Sequence, residues 1–178
     1  MKGKVFIGMM IAVVLFMGVP AFAQKAEDVQ KHASCKYCGM DREKFNYSRM
    51  LITYNDGSEL ASCSIHCAAL DLALNLGKSP TSLQVADYNT KKLIDAEKAA
   101  WVIGGKKPGV MTKVAKWAFE KQEDALAFIK ENEGKAAAFD DAMRATFEDM
   151  YGDVKMIRAK REKMKEMKMK GQEEKKHH

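Results

Sequence analysis

Three things are scarce in this chain of 178 residues: cysteine outside two short pairs, an excess of charge in its central part, and any long apolar run beyond its start. The formal net charge of +6 belongs to the ends. From residue 155 onward there are ten Lys/Arg against four Asp/Glu, and residues 1–23 add two lysines, so residues 24–154 hold 18 basic and 20 acidic groups, a net of −2. A folded part with that balance and no basic, aromatic-laced face argues against a nucleic-acid partner. The four cysteines are Cys35, Cys38, Cys63 and Cys67. No thioredoxin-like βαβ pattern surrounds the first pair and no candidate base stands beside it, which weighs against a thiol oxidoreductase.

The one apolar run lies at the start. Lys2 and Lys4 precede residues 5–19, which are almost wholly apolar, and Ala21-Phe22-Ala23 supplies small residues where a signal peptidase cuts. Residues 1–23 therefore read as a secretory signal, too short for a bilayer anchor. No cysteine stands at the cleavage point to take a lipid, so the expectation is a periplasmic or otherwise exported chain, free of the membrane after cleavage. In an oxidising compartment free thiols need a bound metal or a reducing partner.

What is there is sulfur, in two clusters. Cys35-Lys36-Tyr37-Cys38-Gly39-Met40 places two thiols and a thioether within six residues, and Cys63-Ser64-Ile65-His66-Cys67 follows at hairpin distance. Thiolate and thioether donors select copper(I), whereas zinc accepts thiolates and has little use for methionine, so Met40 is the discriminating residue. The cysteine spacing alone also suits two disulfides in an exported protein.

The remaining pattern gives the architecture. Residues 24–33 are polar and read as a flexible lead-in. Residues 49–54 read as a strand, Asn55-Asp56-Gly57 as a hairpin turn and residues 58–64 as the returning strand, which carries Cys63 back toward Cys38. A helix follows from His66 toward Gly77, with Pro80 beyond it. Residues 83–88 and 99–103 have strand content on either side of a charged piece, residues 91–98. Residues 104–109 form a Gly-rich loop with Met111 just after it, residues 114–119 read as a strand, and residues 123–132 as a helix. The fold class expected is α+β, with duplicated ββα-type units in one compact domain over residues 34–152. Residues 139–151 are helical by pattern with Gly152 as a break, and residues 153–178 form a Lys/Met-rich tail, helical or disordered, ending in His177 and His178.

With the leader, Cys38-Gly39-Met40, the hairpin, Ala99-Ala100-Trp101-Val102-Ile103, Met111 and Trp117-Ala118-Phe119 followed by Ala125 and Phe128, the chain resembles the NosL family, accessory proteins of nitrous oxide reductase. The resemblance runs over residues 34–142. It implies an exported copper(I)-binding protein of duplicated ββα fold that delivers copper to an enzyme's metal centre, with Cys38 and Met40 at the family's Cys-x-Met copper positions. The first half is also similar to the YHS and TRASH heavy-metal modules, which adds Cys63 and Cys67 as candidate ligands beyond the NosL pattern.

The reading is a carrier rather than an enzyme. Cys38 and Met40 form the core of a copper(I) site, with Cys35, Cys63, His66 or Cys67 completing it and Met111 as a further ligand or lid. Its partners are a client copper enzyme and a membrane copper donor, with membrane contact through the basic tail. The alternative is a structural zinc(II) knuckle made by Cys35, Cys38, Cys63 and Cys67.

Overall fold

The computed structural model describes residues 25–174, so the signal-peptide expectation and the terminal His177 and His178 lie outside the described residues. The polar lead-in is not flexible chain: it holds a short helix, α1 (Glu27–Lys31), whose Asp28 and Val29 are buried. Two buried guanidiniums explain this. Asp28 Oδ2 accepts from Arg42 at 2.7 Å and from Arg49 at 2.8 Å, and Oδ1 accepts from Arg49 at 2.9 Å. Arg42 also donates to the carbonyls of Asp28, His32 and Ser62, so a charge with no solvent contact has a partner for each donor direction.

The expected hairpin is present as β1 (Met50–Tyr54) and β2 (Glu59–Ser62), paired Met50 to Ser62 through Thr53 to Glu59. Met50, Ile52 and Tyr54 alternate into the core, as the period of a half-buried strand requires. Helix α2 (Ile65–Leu74) follows, then β3 (Pro80–Ala86), antiparallel to β1 on its other edge. The charged stretch after it contains a short edge strand, β4 (Leu93–Asp95), because Ile94 and Leu93 pair with Val85 and Ala86. The first sheet thus has the order β2-β1-β3-β4.

The second half repeats the plan. Strands β5 (Ala100–Ile103) and β6 (Lys116–Phe119) pair antiparallel, α3 (Gln122–Asn132) follows, and β7 (Lys135–Ala137) returns to the free edge of β5, giving the order β6-β5-β7. In each half a hairpin, a helix and a third strand place that strand beside the first, so the duplicated units are ββαβ in form. Lys135-Ala136-Ala137 has no strand signature; backbone approach forces it. At Gly134, φ is +109°, and a Cβ there would lie 2.9 Å from Val102 Cγ1 and 3.1 Å from the Ile103 carbonyl. Gly134→Ala is therefore expected to cost about 1–3 kcal/mol in denaturant unfolding. A variant as stable as the parent would show that β7 does not depend on this contact.

The halves join where β3 ends. Tyr88 N–H donates to the Ala118 carbonyl at 2.8 Å, and Asp87 Oδ1 accepts from Glu120 N–H at 2.9 Å. The ring of Tyr88 then packs between Trp117 and Phe128, at centroid distances of 5.3 and 5.0 Å. One core lies around Met50, Ile52, Leu60, Trp101 and Phe139, and a second around Cys35, Cys63, Cys67, Trp117 and Phe119.

Gly152 does not break the last helix: α4 (Phe139–Glu174) runs through it. Its first turns bury Phe139, Ala142 and Thr146 against α2 and β5, and Asp153, further along, is buried and accepts the Lys113 N–H at 3.0 Å. Beyond that point the helix is mostly exposed, with Met164, Met167 and Met169 each 57% accessible. No described helix is long and apolar enough to cross a membrane.

Candidate metal centre

The first cysteine pair sits in a tight loop. Cys35 N–H donates to the Met40 carbonyl and Gly39 N–H to the Cys35 carbonyl, both at 2.9 Å, and Gly39 takes φ +72°, where an L side chain is strained. A bridge between Ser34 and Asp41 closes the loop behind them. Lys36 N–H donates to the Ala61 carbonyl at 3.2 Å, which pins the loop to β2 two residues before Cys63. Cys63 leaves that strand and Cys67 lies in the first turn of α2, so strand exit and helix entry present two sulfurs to the loop.

The four Sγ atoms all lie within 4.8 Å of one another, and those of Cys38 and Cys63 are 3.4 Å apart. None of the four is in a disulfide. A tetrahedral thiolate centre with metal–sulfur bonds of about 2.3 Å has sulfur–sulfur edges of about 3.8 Å, so this spacing suits a single ion. Cys35, Cys63 and Cys67 are buried and Cys38 is partly exposed.

The thiols are electrostatically uneven. Hydrogen bonds from Cys38, Cys63 and Cys67 hold the Cys35 thiol well below the ordinary thiol range. Donation to Cys35 raises the Cys38 thiol, but hydrogen bonds from Cys63 and Cys67 outweigh that and leave it lowered, whereas serving as donors to Cys35 and Cys38 pushes the Cys63 and Cys67 thiols up. The crowded sulfurs favour thiolate at Cys35 and Cys38 and resist it at Cys63 and Cys67, unless a cation neutralises them.

Asp71, fully buried one turn after Cys67, holds the two cysteine segments together. It accepts from Lys36 at 3.1 Å and from the hydroxyls of Tyr37 and Tyr54. Burial opposes its ionisation, but the two hydroxyls and the lysine outweigh that and keep its carboxyl below the usual range. Burial and the Asp71 carboxylate push both tyrosine hydroxyls up in turn.

His66 does not join the sulfurs. It points to the other side of α2, its Nδ1 3.4 Å from Asp153 Oδ2, without hydrogen-bond geometry between them. Burial lowers its pKa, with Asp153 opposing. Met40 and Met111 lie with Cys38 along a cleft of about 380 Å³, whose other wall is α4. Met111 has φ +64° in the loop before β6, a left-handed conformation that a methionine adopts at a cost of about 1 kcal/mol. Sequence reasoning missed Asp28, Arg42 and Asp71, whose roles exist only through partners distant in the chain. The sequence marks Met156, Met164, Met167 and Met169 as tail thioethers able to collect copper, but does not show that Met156 and Met164 alone of these line this cleft.

Residues 26–147 match the NosL family model. The chain belongs to the NosL family. The crystal structure of the copper chaperone NosL from Shewanella denitrificans shares its fold with a TM-score of 0.52, at 22% identity over 65% of this chain and 93% of that one. A search of curated proteins returns no match. The distal part of α4, with Met156 and Met164, lies beyond the matched NosL region.

Proposed function

We propose that this NosL-family protein is an exported copper(I) carrier that takes copper at the cysteine cluster and delivers it to a client copper enzyme, nitrous oxide reductase being the client the family suggests. The observation that carries this reading is the position of Cys38. It is the one cysteine of the four that reaches solvent, and it opens onto a cleft shared with the thioethers of Met40 and Met111. Copper(I) needs only two or three soft donors, so a ligand from a partner can enter at Cys38 and Met40 before a buried thiolate is released. Transfer then proceeds by exchange of ligands, without free ion in solution and without a catalytic step. The exposed lysines and arginines of distal α4 suit an acidic partner surface or the anionic face of a membrane where a copper donor resides.

Anaerobic loading followed by thiol alkylation tests the reading. One equivalent of copper(I) is expected to protect Cys38 and at least one buried cysteine. If all four thiols react equally before and after loading, the cluster is not the carrier site.

A second reading has its own observation: four sulfurs closing around one point is also what a structural zinc site needs. It predicts zinc in protein purified anaerobically from its native compartment, affinity unchanged by Met40→Leu, and unfolding on chelation. A thiol oxidoreductase is least supported, because the imidazole nearest in sequence to the cysteines is turned toward Asp153.

A further inference from the structure

We propose a second soft-metal site in this protein, built of thioethers on the outer side of Cys38 and completed by helix α4. Met40, Met111, Met156 and Met164 line one cleft of about 380 Å³, and Cys38 stands in its wall. These four methionines come from three separated segments: the cysteine loop, the loop before β6, and two turns of α4. Met156 and Met164 share a face because they are eight residues apart, while Met167 and Met169 do not line the cleft.

The donor set defines the ion. The lining contains no carboxylate and no imidazole; its charged members, Lys160 and Arg161, are cations and supply no ligand. Hard divalent cations need oxygen donors and zinc needs thiolate or imidazole, so neither is served. Thioethers bind monovalent copper, and its analogue silver(I), without losing a proton. Packing alone accounts for these side chains less well: Met164 is 57% exposed and Met156 half-buried, so two of the four are not core gap-fillers.

The arrangement deepens the carrier reading and rests on it in one respect, the direction of traffic. Copper(I) arriving at the thioethers meets weaker, neutral donors first and passes inward to the thiolates through Cys38, which borders both sites. Helix α4 supplies two of the outer donors, Met156 and Met164.

The experiment uses the full mature chain with 13C-methyl-labelled methionine, titrated anaerobically with copper(I) and, separately, with silver(I), while thiol protection is followed by alkylation. The first equivalent is expected to protect the thiols and to shift the methyl signal of Met40. The second is expected to shift the methyl signals of Met156 and Met164 together with Met111. The Met156→Leu/Met164→Leu variant, which conserves volume, is expected to bind the second equivalent at least tenfold more weakly and the first unchanged. If the Met156 and Met164 signals stay fixed at two equivalents, or the variant matches wild type at both steps, the outer site is wrong while the carrier reading stands. If the methionine signals shift but the thiols remain equally reactive throughout, the outer site stands and the cysteine carrier reading falls.

Discussion

Cys38→Ser is expected to lower copper(I) affinity on the order of 100-fold or more. Loss of groups that merely orient a ligand already costs about 10- to 100-fold, and a direct thiolate should exceed that. Serine offers a hard oxygen that does not ionise near neutral pH, while the partial exposure of Cys38 keeps the packing cost of the change small. Met40→Leu keeps the volume and removes only the thioether, so its loss should be smaller, roughly tenfold. Competition against a copper(I) chelator measures both. Affinities equal to wild type in both variants would exclude Cys38 and Met40 as ligands. The same titration at lower pH should show weaker binding, since each thiol that ligates must release a proton and the neighbouring sulfurs hold those of Cys63 and Cys67 tightly.

The largest loss of stability is expected from Asp28→Asn, about 3–5 kcal/mol, because it leaves Arg42 and Arg49 buried without a counter-charge. For a domain of this size that is a fall in Tm of roughly 10 °C. The pH dependence has a definite sign. Burial raises the Asp28 pKa, but the hydrogen bonds and charges of Arg49 and Arg42 outweigh it, so the folded pKa lies below the ordinary value of 3.8. The stabilisation is present above that value and is lost as pH falls through the depressed folded pKa. Wild type should therefore lose part of its stability below about pH 4. The Asp28→Asn variant should lack that component. A variant within about 1 kcal/mol of wild type at neutral pH would mean that the two guanidiniums find other partners.

The strands and helices of largest apolar content were legible in the sequence: the hairpin around Asp56-Gly57, the helix after Cys63, and the Trp101 and Trp117 strands all lie where alternation and turn residues put them. So was the sulfur chemistry, because Cys-x-x-Cys-Gly-Met and Cys-x-x-x-Cys are local patterns whose donors need only a turn to converge. The short strands β4 and β7 were not legible. Leu93-Ile94-Asp95 and Lys135-Ala136-Ala137 become strands only because a neighbour's unpaired edge is there to receive them. Residues 24–33 read as solvated because the partners of Asp28, which are Arg42 and Arg49, lie 14 and 21 residues away.

The sequence by itself determined which atoms this protein offers to a metal: four thiols in two pairs, a thioether beside one of them, and a methionine-rich basic end. Only the tertiary structure decided which of them meet. It drew Cys35, Cys38, Cys63 and Cys67 within 4.8 Å, turned His66 away toward Asp153, and carried α4 through Gly152 so that Met156 and Met164 line the cleft that Cys38 borders. The physical reason is one of range. Donor identity and local turn geometry are properties of a few adjacent residues, whereas the direction in which a helix face points is set by the packing of its whole length against the rest of the fold.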